Sequence, residues 1–186
     1  VRGEAVEIRS PKNAQRTGFA LVPEDRQKHG LFPGLSIGFN TSANILSKTS
    51  KANWLFGKLL DAQSLSMLQS FKTVYRSLTQ PVRQLSGGNQ QKTIIARWLL
   101  GNPEFLILDE PTRGVDVGAR REVHQVLRAQ ADEGKAILVI SSDLPELLTL
   151  TDRIYVMQGG TIVGEIATKD ATEEKVMALA FGGGAE

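Results

Sequence analysis

The chain contains no cysteine, which excludes a disulfide framework and any thiolate metal site. Its two histidines, His29 and His124, stand far apart in sequence, so a histidine-built zinc site is not expected. No apolar run approaches the ~18 residues that a membrane span needs. There is no leader-like segment, and the first residue is Val1 rather than methionine, in a stretch that already reads as a strand. The chain is therefore expected to be a piece of a longer protein. Dense basic runs interleaved with aromatics are also lacking, although the charge is unevenly spread. Residues 1–92 hold 13 Lys and Arg against 5 Asp and Glu, a balance of +8, and residues 93–186 hold 9 against 15, a balance of −6. The basic residues are scattered over helix faces, so nucleic acid is not the expected partner.

The 186 residues, 41% hydrophobic and 23% charged, suffice for one domain with a substantial core, or a domain and a small subdomain. Residues 5–9 read as a strand. Ser10 and Pro11 open a short helix as cap and first turn, Gly18 closes it, and FALV at 19–22 is a strand ended by Pro23. Residues 24–34 read as a polar loop. Residues 37–80 have helical periodicity, with Trp54, Leu55, Leu59, Leu60, Leu65, Leu68, Phe71 and Val74 on one stripe. This predicts a helical subdomain over 36–80 in which Trp54 and Phe71 are packing residues. A helix follows over 84–100, stopped by Gly101, Asn102 and Pro103. The rest reads as a buried strand at 105–108, a helix at 117–131, a second buried strand (AILVI) at 136–140, a helix at 145–150, a hairpin of 153–157 with 161–166 around Gly159 and Gly160, and a helix at 172–180. Strand, helix, buried strand, helix, strand predicts an α/β fold: a parallel sheet covered by helices, with a helical insertion and a C-terminal β-hairpin. The expected parts are 36–80, 84–151 and 152–186.

Two motifs carry chemistry. In LSGGNQQK (85–92), Ser86, Gly87 and Gly88 stand at a helix start, where free N–H groups and the helix dipole attract phosphate. Glycines there let a bulky anion approach the backbone. In FLILDEPT (105–112), an apolar strand ends in Asp109 and Glu110, at the sheet edge where α/β proteins bind ligands. Asp109 suits magnesium, through water, and Glu110 suits orienting or deprotonating an attacking water. The phosphate-cradling G-x-x-x-x-G-K-[ST] loop is not found in the 186 residues.

These stretches resemble the nucleotide-binding domain of ABC transporters. LSGG (85–88) resembles its signature motif, LILDEPT (106–112) its Walker B segment, RGVD (113–116) its D-loop, and 37–80 its helical subdomain. LVPEDR (21–26), LSGGNQQK and DEPTRGVDVG resemble most closely the sugar-importer ATPases for ribose, galactose and xylose, which carry two such domains in one polypeptide; the match is to the second.

The resemblance implies a P-loop NTPase-like fold whose N-terminal part lies outside this chain, ATP and Mg2+ as cofactors, and ATP hydrolysis energising sugar import. It implies that Ser86, Gly87, Gly88, Gln90 and Asp116 contact nucleotide. Asp109 and Glu24 would meet the metal, and Glu110 and Ser142 would serve catalysis. Implied partners are the first nucleotide-binding domain, membrane permease subunits near residues 35–60 and, indirectly, a periplasmic sugar-binding protein, with the chain on the cytoplasmic face of the membrane as a peripheral component. Glu24 stands where the family has a glutamine and Ser142 where it has a switch histidine. With no Walker A lysine, the isolated chain is expected to bind ATP weakly without turning it over, and the second domain to be a slow site. The missing strand is expected to leave the AILVI edge unpaired, so that the isolated chain is poorly stable or self-associates. Alternatives are a purine nucleoside importer ATPase, a soluble ABC protein acting on ribosomes or DNA (which depends on basic insertions not seen here), or a regulatory interaction module.

Overall fold

A computed structural model describes residues 1, 3–46, 50–51, 54–55 and 57–182. The chain divides into two compact units, Val1–Ile140 and Ser141–Glu186.

The first unit is built on a three-stranded parallel sheet of order β1–β4–β5, from β1 (Phe19–Val22), β4 (Phe105–Asp109) and β5 (Ala136–Ile140). Phe19 pairs with Phe105 and Val22 with Leu108; Phe105 pairs with Ala136 and Asp109 with Ile140. The register is started by Gly18. Its φ of +93° is a conformation that favours glycine, and its carbonyl accepts the N–H groups of Glu104 and Phe105 at 2.9 and 3.1 Å. Helix α1 (Pro11–Arg16), capped by Ser10, leads into β1.

One face of β1 and β4 is buried, and no residue of β5 is. Val22, Leu106 and Leu108 have no exposure, whereas Leu138 and Ile140 are 40% and 48% exposed. The expectation that AILVI is a buried strand is therefore corrected, because none of its five residues is fully buried. Among the described residues β5 pairs with β4 alone, as the unpaired-edge expectation holds. Residues 5–9 form no strand; these exposed residues have no strand partner to satisfy their backbone groups.

Between β1 and β4 lies the mostly helical insertion. Helix α2 (Ile37–Ser42) is capped by Ser36, followed by strands β2 (Ser50–Lys51) and β3 (Trp54–Leu55), which pair antiparallel, and by α3 (Gly57–Ser70). The short hairpin interrupts the helical layer expected over 36–80. Trp54 favours extended chain, and a long periodicity window averages over such a break. The predicted packing role of the Trp54 side chain lies outside the described residues. Phe71 does pack, with no exposure; so do Leu60, Ser64 and Leu68, one line along α3, while Leu59, Leu65 and Val74 face outward.

Helix α4 (Gly87–Leu100) runs through the middle of this unit and packs against α2, α3 and β1. Ile94, Ile95 and Ala96 are completely buried, which at roughly 25 cal/mol per Å² of apolar surface is a large share of the core energy. Helix α5 (Val117–Asp132) covers β5 with a stripe of Ala119, Val123 and Leu127, spaced four apart so that they share a face.

At the hub of the insertion is Arg97 of α4, 6% exposed. Its Nε donates to the Asn40 carbonyl at 2.5 Å, Nη1 to the Gly30 carbonyl at 2.6 Å and Nη2 to Asn40 Oδ1 at 2.8 Å. Its guanidinium carbon lies 5.1 Å from the centre of the Phe32 ring, a cation–π distance. Burial pushes its pKa down to about 10, so it is still a cation at neutral pH. A folded-state pKa below the unfolded one means that burying the charge costs stability at neutral pH, and the carbonyls and the ring offset that cost. Asn40, with no exposure, accepts from Phe32 N and donates to the carbonyls of Phe32, Leu35 and Ser36.

In the second unit, α6 (Leu144–Leu150) is capped by Asp143, and buried Glu146 accepts from Ser141 Oγ at 2.6 Å. Strands β6 (Arg153–Gln158) and β7 (Thr161–Ala167) pair antiparallel. Gly159 and Gly160, with φ of +56° and +81°, make the turn. Helix α7 (Glu173–Ala180), capped by Thr172, packs on both strands.

Two outcomes are expected. Arg97→Met keeps most of the volume but leaves three buried carbonyl acceptors short of a donor, so a loss of about 1–3 kcal/mol is expected in urea unfolding. The β5 edge is expected to make the 186-residue chain associate with rising concentration in sedimentation velocity. Leu138→Lys together with Ile140→Lys is expected to suppress that association; a monodisperse parent chain would show the edge to be harmless.

Candidate functional site

Three segments of the first unit meet: residues 24–26, residues 86–88 and the stretch 113–116 of the loop that follows β4. Each is brought there by its element. Pro23 ends β1 and turns the chain into 24–26. Ser86 starts α4, its Oγ accepting from Asn89 Nδ2 at 3.0 Å and from Asn89 N at 3.4 Å. Asp109 ends β4, and the Glu110 N–H reaches across to the Ile140 carbonyl at 2.8 Å.

Glu110 has φ +48°, the left-handed region that side-chain-bearing residues rarely occupy and that clusters at functional sites. Two turns follow, Arg113 N to Glu110 O at 3.2 Å and Val115 N to Thr112 O at 3.1 Å, with Gly114 at φ +66°. Asp116 then caps α5, accepting from Ala119 N at 2.9 Å. Of the residues the sequence nominated, the structure brings Glu24, Gly87, Gly88 and Asp116 to this cluster, with Ser86 next to Gly87 in the chain, while Asp109 and Glu110 stand at the end of β4 that leads into it. Ser142 is exposed and belongs to the second unit, two residues after β5.

The two glycines have distinct steric jobs. A Cβ on Gly87 would lie 2.9 Å from Arg26 Nη2 and 3.4 Å from the Gly114 carbonyl oxygen. A Cβ on Gly88 would lie 2.8 Å from the Ala119 Cβ and 3.2 Å from Asp116 Oδ2. Gly88 is buried and Gly87 half-buried, while Ser86 is exposed. The glycines are therefore needed for close packing inside this chain, beyond the approach of an anion expected from the sequence.

Two expectations are revised. Gln90 is buried, 7% exposed, and its amide donates to the Leu85 carbonyl at 3.1 Å. It braces the turn from within instead of facing a nucleotide, because the first turn of α4 leaves residue 90 on the core side. Glu24 is ion-paired with Arg113, both partners being largely exposed. Its negative charge is thereby matched by a guanidinium through one carboxylate oxygen. Sequence reasoning passed over Arg113 and Arg26. Arg26 Nη1 donates to the Arg113 carbonyl at 3.1 Å, so the loop after β1 is tied to the loop after β4. The signal was two arginines next to residues already singled out, one in LVPEDR and one in DEPTRG.

The donor chemistry at the end of β4 fits a hard divalent cation. Asp109 is a half-buried carboxylate, the oxygen ligand type that magnesium takes alongside phosphate and water. Among the described residues, no helix is long and apolar enough to cross a membrane.

The chain is 44% identical to the ribose import ATP-binding protein of Rhodococcus jostii (strain RHA1), over 98% of this chain and 36% of that protein. It is 46% identical to a putative ribose/galactose/methyl galactoside import ATP-binding protein of Geobacillus kaustophilus (strain HTA426), over 98% and 36%. Identity to the xylose import ATP-binding protein of the same strain is 43%, again over 98% and 36%. The chain thus spans 36% of the length of these relatives. Among solved structures, a bacterial ABC transporter cassette determined as a dimer superposes with a TM-score of 0.71 at 25% identity, covering 84% of this chain and 66% of that one. A cassette dimer in a post-hydrolysis state with ADP and Pi gives 0.73 at 22% identity, covering 87% and 68%. The α/β fold is that of the P-loop NTPase-like cassettes. The ABC transporter family profile matches residues 2–113, more than half of the sequence, and the chain belongs to that family.

Proposed function

We propose that this chain is part of the ATP-hydrolysing subunit of an importer for a pentose or hexose sugar. The observation that carries this reading is an apolar strand that ends in Asp109 and Glu110 together with a helix that begins at the Ser86–Gly87–Gly88 turn, in a chain 43–46% identical to ribose, galactose and xylose import ATP-binding proteins. In this reading the longer protein carries another nucleotide-binding domain. It sits as a peripheral component on the cytoplasmic face of the membrane, against permease subunits served by a periplasmic sugar-binding protein. A purine nucleoside importer differs in its permease, which selects the solute, so transport assays with both solutes separate the two.

The chemistry follows from the residues. Asp109 would hold Mg2+, which neutralises charge on the phosphates when bound. Glu110 accepts a hydrogen bond from the attacking water and takes its proton as the water oxygen bonds to the γ-phosphorus and the bond from that phosphorus to the bridging oxygen breaks, leaving ADP and inorganic phosphate. Ser86 and the N–H groups at the start of α4 bind the γ-phosphate of ATP held by the other domain, where the helix dipole favours negative charge. The Asp116 carboxylate holds the start of α5 in place beside that turn. Ser142 offers a hydroxyl at the position where the resemblance to the ABC family implies a histidine. It donates a hydrogen bond to a phosphate oxygen but carries no positive charge there.

A neutral serine at 142 and the engagement of Glu24 by Arg113 make the site that uses Glu110 a slow one. The main task of this chain is then to complete the other site through its signature turn. In the full-length protein, Ser86→Ala is expected to lower steady-state ATP hydrolysis by about tenfold or more, the order of losing one charge-assisted donor to a phosphate. Glu110→Gln is expected to lower it by less than about threefold, because turnover is carried by the other site. Fast hydrolysis that survives inactivation of the other domain and disappears with Glu110→Gln would overturn this division of labour.

A further inference from the structure

Arg26 has more donors than partners. A guanidinium carries five N–H bonds, and the one described hydrogen bond is Nη1 to the Arg113 carbonyl. Nε is buried with no partner. Nη2 lies against the signature turn, 2.9 Å from where a Cβ on Gly87 would stand and 3.9 Å from where one on Gly114 would.

Nor does a carboxylate balance its charge among the described residues, because both nearby acids are occupied. Glu24 pairs with Arg113. Asp25 accepts the N–H groups of Gln27 and Lys28, each at 3.0 Å, and faces the Lys28 ammonium at 3.6 Å. The bond to Lys28 N is the main cause that holds the Asp25 carboxyl below its ordinary range. Beside these groups opens a cavity of about 490 Å³ lined by Glu24, Asp25, Arg26, Gln27, Arg113 and Gly114. A half-buried cation that lacks a counter-charge, at the rim of an open cavity, is set up to receive an anion.

We propose that Arg26 is a phosphate-binding residue of the signature surface, placing its guanidinium on the terminal phosphate of the nucleotide that Ser86 and the start of α4 receive from the other domain. The proposal rests on the reading of that turn given above and adds a side-chain charge from a different loop. The planar fork of a guanidinium matches two phosphate oxygens at once. The requirement for glycine at 87 then has a double cause, since the position must admit the phosphate and leave room for Arg26 beside it. Because the contact is with the terminal phosphate, Arg26 discriminates ATP from ADP. The same residue grips the Arg113 carbonyl, so nucleotide arriving at the signature turn is felt by the loop that follows Glu110.

The test is calorimetric titration of the full-length two-domain protein with MgATP and with MgADP, on the parent and on Ser86→Ala, Arg26→Ala and Arg26→Lys. The relevant site is the one whose ATP affinity Ser86→Ala weakens. At that site Arg26→Ala is expected to weaken ATP by about tenfold and ADP by less than about threefold, with Arg26→Lys in between, since a lysine keeps the charge but loses the fork. If Ser86→Ala weakens ATP and Arg26→Ala either does not or weakens ATP and ADP alike, Arg26 is a strut between loops and the proposal falls while the signature reading stands. If Ser86→Ala leaves ATP affinity unchanged, the signature reading fails and the proposal fails with it. Arg26→Lys keeps the measurement decisive should the alanine variant not fold.

Discussion

The site depends on one buried cation. Arg97 sits in the middle of α4, with the Asn40 and Gly30 carbonyls and the Asn40 amide oxygen as its partners and the Phe32 ring at its face. Buried charges are ordinarily paired with an opposite charge; here oriented dipoles take that place. Such an arrangement tolerates little displacement, because each carbonyl must keep pointing at its N–H. The chain leaving the Arg26–Gly30 turn, the first helix of the insertion and the helix that begins at Ser86 are thereby held in one geometry.

From that hub the positions of the chemical groups follow. The first turn of α4 lies against Gly114, Val115 and Asp116, and the absence of a side chain at Gly88 lets α5 come within contact of it. Arg26 then spans the gap between the signature turn and the Arg113 carbonyl. The turn at the start of α4 and the loop that follows β4 are thus joined within one unit, by a guanidinium and by a glycine, without a long lever between them. The left-handed Glu110 belongs to the same economy of space. The chain turns sharply after Asp109, and its N–H is retained by the Ile140 carbonyl, so the second carboxylate leaves the strand direction at once.

Much of this was legible in order of residues. Four apolar residues ending in Asp109 and Glu110 predict a strand delivering acids to a sheet edge, and β4 does so. Ser86 before two glycines predicts a helix start, and Ser86 caps α4. Caps, turn glycines and motifs act over a few neighbours, so they can be read along the chain. The short hairpin within the insertion and the exposed face of AILVI were not legible. Pairing of a two-residue strand, and whether a sheet face is covered, depend on segments distant in sequence. Gln90 illustrates the limit: its place in the motif suggests a ligand contact, but helical geometry turns it toward the Leu85 carbonyl.

The sequence by itself determined the family, the order of elements and the identity of the acids and the phosphate-attracting turn, because these rest on residue type and local spacing. Only the tertiary structure decided that Glu24 is matched by Arg113, that Gly87 and Gly88 make room for Arg26 and α5, and that Arg97 is held by carbonyls. The partners joined by side chains, Glu24 with Arg113 and Arg97 with the Gly30 and Asn40 carbonyls, stand 89, 67 and 57 positions apart. Contacts of such separation leave no periodicity to read, since they exist only once β1, α4 and β4 have been laid side by side.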